Sequence, residues 1–176
     1  VLEGRIPSEL GLLSDLSVLE LNENGLTGEI PTDLWFLTNL NVLELGGNRF
    51  RRLSIPTEIG QLSGLYSLKL DRVQGQIPSE VGLMSNLTSL ELEMNSLVGS
   101  IPSELGFLSN LEILNVGHNQ LAGVIPSGLA NLTALSILNL RWNSLSGSLP
   151  DFPPSSVIEI LDLDSNSVTG SIPSSL

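Results

Sequence analysis

The sequence offers few side chains for catalysis or metal binding. It holds one histidine, His118, and no cysteine. A Ser-His-Asp triad would depend on this single imidazole, and neither a Gly-x-Ser-x-Gly elbow nor a phosphate-binding glycine loop occurs. Nineteen acidic residues supply carboxylates, but glycosidase chemistry needs two of them in a cleft that raises the pKa of one. We therefore predict a protein that is not an enzyme and that has no metal or other cofactor.

The charge restricts the class of partner. Seven basic residues against nineteen acidic ones give a formal charge of −12. Nucleic-acid binding needs many Lys and Arg side chains to displace phosphate counterions, so this charge excludes it. No apolar run reaches the roughly 18 residues of a membrane span. The expected partner is a protein or peptide, or a glycan.

A tandem repeat organises the whole sequence. The proline of an Ile-Pro or Leu-Pro pair recurs at positions 7, 31, 56, 78, 102, 126, 150 and 173, which are 22 to 25 residues apart. Repeats of this length predict a solenoid, in which each unit buries its apolar side against its neighbours. We expect one domain over 1–176, with partial repeats at 1–12 and 155–176 and full repeats at 13–36, 37–61, 62–83, 84–107, 108–131 and 132–154. Because both ends fall inside repeats, we expect the chain to be part of a longer protein or complex.

Each repeat position has a physical reason. An alternating Leu-x-Leu pair, such as Leu19 and Leu21, predicts a short strand with leucines inward and neighbours outward. The asparagine that follows, such as Asn24, is expected to bond backbone groups of its own and adjacent coils. The Pro-Ser-Glu-Leu-Gly segment reads as a helical turn with proline near its first position and glycine as its end.

The repeat, Leu-x-x-Leu-x-Leu-x-x-Asn-x-Leu-x-Gly-x-Ile-Pro-x-x-Leu-Gly, resembles the plant-type leucine-rich repeat of receptor-like ectodomains and polygalacturonase-inhibitor proteins. It is also similar to the regular leucine-rich repeats of diatoms. The resemblance implies an α/β repeat fold: a right-handed solenoid with a parallel β-sheet on its concave face and short helical or 3-10 turns on its convex face. It carries little information about the ligand, because one scaffold serves many functions.

The outward residues of the strands form rows that predict two partner-binding zones. The first is mainly acidic and contains two cations. It comprises Glu20, Glu23, Glu44, Lys69, Asp71, Arg72, Glu91 and Glu93. The second combines Met94, His118, Arg141 and Trp142, and Trp and Arg are frequent interface anchors. Alternatively, some of these side chains contact only water, as outward strand residues do in any such solenoid.

The repeat pattern breaks in two neighbouring units. The second unit gains a residue within 49–54, and the third loses two within 71–74 together with its asparagine. Five of the seven basic residues lie in this stretch: Arg49, Arg51, Arg52, Lys69 and Arg72. The break marks either a contact site or neutral drift. A further deviation after Pro150, with Pro153 and Pro154 in succession, predicts a coil without a helical turn.

We expect a protein-interaction module at the cell surface or outside the cell, with N-glycosylation at the sequons of Asn86 and Asn131. One alternative is a constitutive scaffold subunit of a larger assembly, for example in an organelle lumen. Another is binding to ice or mineral, which favours a flat array of Thr or Asn that the mixed outward rows lack.

Overall fold

The computed structural model describes residues 1–51 and 53–174. Seven short strands form one parallel sheet, and each belongs to one coil of a solenoid. In order from coil 1 to coil 7 they are Val18–Glu20, Val42–Glu44, Ser67–Lys69, Ser89–Glu91, Ile113–Asn115, Ile137–Asn139 and Ile160–Asp162. All pair in register, so equivalent residues of successive coils lie side by side. The predicted solenoid and parallel sheet are confirmed.

The leucines between the strands' outward residues form a continuous apolar core. Leu43, Leu68, Leu90, Leu114 and Leu138 are fully buried at the middle position of their strands. Equivalent residues on adjacent parallel strands are about 4.8 Å apart. Each coil therefore packs its leucines on those of its neighbours, as the alternating pattern predicts.

A second strand in each coil forms two further parallel sheets. The first contains Glu3–Gly4, Gly25–Gly28 and Arg49–Phe50. The second contains Leu53–Ser54, Val73–Gly75, Ser96–Gly99, Gln120–Val124, Ser144–Ser148 and Ser167–Thr169. Coil 2 contributes to both sheets, since Arg49–Phe50 pairs with coil 1 and Leu53–Ser54 pairs with coil 3. The insertion at 49–54 therefore divides the second side of the solenoid; its Arg52 lies outside the described residues.

The third side of the coils consists of five-residue 3-10 helices. They are Ser8–Leu12, Thr32–Phe36, Thr57–Gln61, Ser79–Leu83, Ser103–Phe107 and Ser127–Asn131. Each follows a proline in extended conformation, as Pro7 and Pro102 illustrate. In the unit of Pro153 and Pro154 the described backbone makes a turn without a helix, as its prolines predict.

The prediction that glycine ends these helices was wrong. Gly82 and Gly106 are the fourth of five residues, and a helical residue follows each. A methyl group on Gly82 would lie 2.6 Å from the carbonyl oxygen of Glu104, and one on Gly106 would lie 2.8 Å from the backbone of Gly128. A side chain at Gly82 or Gly106 would therefore clash with the backbone of the adjacent coil. Trp35, which is buried, and Ala130 occupy the same position in two other helices, so those coils accommodate a side chain there.

A row of asparagines holds the coils together at the ends of the strands. The Asn119 side-chain nitrogen donates to the carbonyls of Val116 and Gly117 in its own coil and of Leu92 in the preceding coil, at 2.9–3.1 Å. Its oxygen accepts a hydrogen bond from the Leu97 amide at 3.0 Å. The row comprises Asn24, Asn48, Asn95, Asn119, Asn143 and Asn166, which all bond backbone groups of two coils. This confirms the predicted role of the asparagine.

We predict that Asn119→Ala lowers the free energy of unfolding by about 2–4 kcal/mol, because shielded backbone groups in two coils lose their partner. Urea unfolding followed by circular dichroism measures the change. Asn110→Ala is the matched control: Asn110 is exposed and makes one hydrogen bond, to the Ser85 carbonyl, so its loss should cost less than about 1 kcal/mol. Equal losses in the two variants would contradict the role of the row.

Candidate functional site

The outward residues of the seven-stranded sheet form the row that the repeat predicts. In coil order they are Glu20, Glu44, Lys69, Glu91, Asn115, Asn139 and Asp162. We call the surface made by this row and the residues that follow each strand the sheet face. Carboxylates dominate its first four coils, and amides follow in coils 5 and 6.

A second row follows the strands and has an unusual backbone conformation. Glu23, Gly47, Arg72, Met94, His118, Trp142 and Ser165 all adopt positive φ, between 52° and 68°. For a residue other than glycine this conformation costs of order 1 kcal/mol or more, and neighbouring contacts must maintain it. Here the amides of Met94, His118 and Trp142 each donate to a carbonyl of the next coil at 2.8–3.0 Å. The large side chains of this row are therefore held on a fixed backbone.

Three of these side chains, the exposed Met94 and Trp142 and the half-buried His118, form a group that we call the aromatic cluster. The rings of His118 and Trp142 stack with centroids 5.6 Å apart and planes 10° apart. Trp142 is 57% exposed and Met94 is 71% exposed. The structure thus places on three successive coils the side chains that the sequence predicts as the second zone.

Arg141 links the two predicted zones. Its guanidinium lies 2.8 Å from the Glu93 carboxylate, two coils away, and 3.8 Å from the Asp162 carboxylate. Gly117 lies between, and a methyl group there would be 3.2 Å from the Arg141 Cγ. Because Gly117 has no side chain, Arg141 reaches Glu93 across the coil between them.

The repeat break forms an open depression on the sheet face. Lys69 lies 3.2 Å from Glu91, and the Arg72 Nε donates to the Asn48 carbonyl at 3.0 Å. The Asp71 carboxylate accepts a hydrogen bond from the Gly47 amide. The depression has a volume of about 670 Å³ and is lined by Gly47, Asn48, Arg49, Lys69, Asp71, Arg72, Glu91, Glu93 and Met94. The break and the acidic zone, which are separate features in the sequence, therefore form one surface.

The remaining predicted residues form an acidic end of the sheet face in coils 1 and 2. Glu20 and Glu23 are exposed, and within residues 1–51 and 53–174 neither forms an ion pair. The Glu44 carboxylate accepts hydrogen bonds from Asn22 at 2.6 Å and from Ser67 at 3.3 Å. These neutral donors hold Glu44 in place without removing its charge.

Two charged groups of the sheet face have shifted pKa values. Burial alone would raise the pKa of the Glu93 carboxyl. Hydrogen bonds from Asn115 and Arg141 outweigh burial, and the Arg141 and His118 charges add to them, so the pKa lies below its ordinary value. Burial alone would lower the pKa of Lys69, but the hydrogen bond and charge of Glu91, with the charges of Glu44 and Asp71, raise it. Both shifts favour the charged forms that pair across coils.

Several residues that shape this surface are absent from the sequence-based selection. Asn22 and Asn115 orient Glu44 and Glu93, and Asp162 completes the pairing of Arg141. All three occupy outward positions of the repeat, so the alternation identifies them, but nothing in the sequence distinguishes them from their neighbours.

Both sequon asparagines are exposed away from the sheet face. Asn86 donates to the Ser63 carbonyl at 3.0 Å, and Asn131 is the last residue of its 3-10 helix. Glycosylation at either position stays a prediction. The described residues contain no group of three or more potential metal-ligating side chains and no helix long and apolar enough to span a membrane.

The leucine rich repeat family model matches residues 85–145, and a second model of the same description matches 15–37 and 158–176. Together these segments cover more than half of the chain. A search of curated proteins by sequence finds no match.

Solved structures of plant receptors share the fold over nearly the whole chain. The plant peptide hormone receptor RGFR1, in complex with RGF2, is 34% identical with a TM-score of 0.92, over 98% of this chain and 28% of that chain. The ectodomain of the Arabidopsis thaliana membrane receptor kinase GASSHO1/SCHENGEN3, in complex with Casparian strip integrity factor 2, is 38% identical with a TM-score of 0.91, over 98% of this chain and 21% of that chain. The Arabidopsis receptor kinase HAESA, in complex with the peptide hormone IDA and the co-receptor SERK1, is 37% identical with a TM-score of 0.91, over 97% of this chain and 29% of that chain. The chain spans less than a third of each receptor chain.

We predict a pH-dependent contribution of Glu93 to stability. Because its pKa is lower in the folded protein, its bonds to Asn115 and Arg141 stabilise the fold above the ordinary glutamate pKa of about 4.3. This contribution is lost as the pH falls through the lower folded value. Urea midpoints measured between about pH 3 and pH 6 should therefore fall less steeply for Glu93→Gln than for the unmodified protein. Glu20→Gln alters no ion pair of the described residues, so its urea midpoint should change with pH as that of the unmodified protein does. If the midpoint of Glu93→Gln fell as steeply with pH as that of the unmodified protein, the prediction would be contradicted.

Proposed function

The chain belongs to the leucine-rich-repeat family, with repeats of the plant type, and from this we propose that it is a non-catalytic binding module that holds an extended peptide segment of a partner protein on its sheet face. The solved structures it matches include receptors in complex with peptide hormones. The proposal assigns a peptide ligand to this chain and no glycan. The only histidine of the chain, His118, stacks on the indole ring of Trp142, and we assign it no catalytic role.

The aromatic cluster carries the proposal. Met94 and Trp142 expose most of their apolar surface, and large exposed apolar side chains in one group are typical of contact sites. Hydrogen bonds to the next coil fix the backbone of this row. The backbone of the cluster therefore loses little conformational entropy on binding, which favours affinity.

Charge and dimensions define the peptide further. The aromatic cluster, in coils 4–6, suits an apolar or aromatic side chain, and the acidic end, in coils 1 and 2, suits Lys or Arg. Coils 1 and 6 are five strand spacings apart, which is about 24 Å, or roughly seven residues of extended peptide at about 3.3 Å each. The depression between them lies on the path of such a peptide.

We place this module outside the cell or at its surface, as part of a longer chain. One of the matched structures is the ectodomain of a membrane receptor kinase. An extracellular location makes Asn86 and Asn131 accessible to glycosylation during secretion. The organelle lumen and a constitutive scaffold role remain the alternatives that the sequence leaves open.

We predict that peptides selected from a random display library on the purified 176-residue protein combine an aromatic or large apolar residue with Lys or Arg. For such peptides, Trp142→Ala should weaken binding at least tenfold, by about 1.4 kcal/mol or more, because a central aromatic anchor is lost. Combining it with Arg141→Ala should weaken binding further. Fluorescence anisotropy with labelled peptide measures the dissociation constants.

Tyr66→Ala is the matched control, since Tyr66 is an exposed aromatic residue that precedes the strand Ser67–Lys69 and belongs to neither row of the sheet face. Its effect should stay within about twofold, as for a residue outside the interface. Unchanged affinity of the selected peptides for Trp142→Ala, or selection that enriches no peptide, would refute the proposal. Unfolding midpoints of both variants ensure that only folded proteins are compared.

A further inference from the structure

The 3-10 helices present an apolar row to solvent on a side of the solenoid that the proposed peptide does not occupy. Its members are the last residues of four helices, Leu12, Phe36, Leu83 and Phe107, and each is between 56% and 78% exposed. Leu12 and Phe36 occupy equivalent positions of two adjacent coils, and Leu83 and Phe107 occupy the same positions of two later adjacent coils. The four side chains therefore form an interrupted row and not scattered exposures. We call it the apolar stripe.

An acidic row runs beside the apolar stripe. The second residue of each of the first five helices is acidic: Glu9, Asp33, Glu58, Glu80 and Glu104. In a 3-10 helix, side chains three positions apart eclipse each other. Each carboxylate is three residues before a member of the stripe or its equivalent, so both rows face the same way. Neighbouring hydroxyls of Ser79 and Ser103 donate to Glu80 and Glu104 at 3.2 Å and orient them.

The acidic row forms no ion pair with cations of the described residues. Ion pairs found within 1–51 and 53–174 involve Lys69 and Arg141, and both lie on the sheet face. Like charges on adjacent coils repel each other. The row therefore creates a negative potential along the apolar stripe, which favours a cationic partner.

We propose that the apolar stripe and the acidic row together are a docking surface for a basic amphipathic α-helix of a partner protein, independent of peptide binding on the sheet face. An α-helix advances about 5.4 Å per turn, close to the roughly 4.8 Å between the paired strands of successive coils. A helix along the solenoid axis therefore places one apolar and one cationic side chain on each coil. An extended strand repeats its side chains every 6.6–6.8 Å or so and loses this match.

Charge argues against other occupants of this surface. A second copy of the chain would bring its own acidic row against the first, and an anionic membrane would be repelled in the same way. An open depression of about 810 Å³ is lined by Glu80 and Glu104 together with Pro78 and Pro102. It provides space for long Lys or Arg side chains next to the acidic row.

The surface has defined limits. Gln61 takes the place of an apolar residue in the middle of the stripe, so the stripe consists of two apolar pairs. In the sixth helix, Gly128 and Asn131 replace the acidic and apolar residues. Because Asn131 is also a sequon asparagine, a glycan there would close this end of the surface. The docked helix therefore covers about five coils, or roughly 14 residues at about 1.5 Å each.

The test uses a synthetic peptide of Lys and Leu patterned as an amphipathic helix of about 18 residues, five turns. Comparison peptides have the same composition in scrambled order, or Glu in place of Lys. We expect the amphipathic Lys peptide to bind the 176-residue protein at least tenfold more tightly than either. Phe36→Ser with Phe107→Ser, and separately Glu80→Lys with Glu104→Lys, should each weaken that binding at least tenfold, measured by fluorescence anisotropy.

Two matched controls locate the binding. Glu112→Lys with Glu159→Lys makes the same change of charge at exposed positions outside the acidic row, and Trp142→Ala alters the sheet face. Both should leave the affinity within about twofold. The proposal is overturned if the amphipathic and scrambled peptides bind equally, if the control charge variant weakens binding as much as Glu80→Lys with Glu104→Lys, or if Trp142→Ala abolishes binding. Unfolding midpoints of every variant confirm that the compared proteins are folded.

Discussion

Every other feature of this molecule depends on hydrogen bonding between successive coils. A single coil buries neither its leucines nor its backbone groups, and the next coil supplies what it lacks. The asparagine row shows this most directly, since one carboxamide such as Asn119 serves carbonyls of two coils and an amide of the preceding one. Most outward side chains are free to differ from coil to coil because the backbone and the asparagine row supply this bonding.

Coil 3 lacks the asparagine, and charged residues of the sheet face contribute bonds at that place. Arg72 donates to the carbonyl of Asn48, and Asp71 accepts from the Gly47 amide. These two residues thus line the depression and also connect coils 2 and 3. Substituting them would change stability as well as the surface, whereas Trp142 and Met94 project from a backbone that is held by its own bonds. This difference is why the aromatic cluster is the cleaner place to examine ligand binding.

The repeat predicts most of the fold because each of its positions has one dominant physical requirement. Leu-x-Leu alternation predicts the strands and their outward rows, and prolines predict where the 3-10 helices begin. Features that join different repeats are not predictable in this way. Arg141 reaches Glu93 only because Gly117 has no side chain, and a one-dimensional pattern does not measure that reach. Likewise, Gly82 in its helix looks like a helix end, although contact with the neighbouring coil is what requires it.

The positive φ of the row that follows the strands restricts which amino acids this surface can use. Side chains branched at Cβ fit that conformation poorly, and among the seven residues there, from Glu23 to Ser165, none is Val, Ile or Thr. Fewer types of amino acid are therefore tolerated at these positions: glycine, and residues whose side chains are unbranched, aromatic or small and polar. The backbone that presents the surface also sets the limits within which natural selection or a protein engineer can change its specificity.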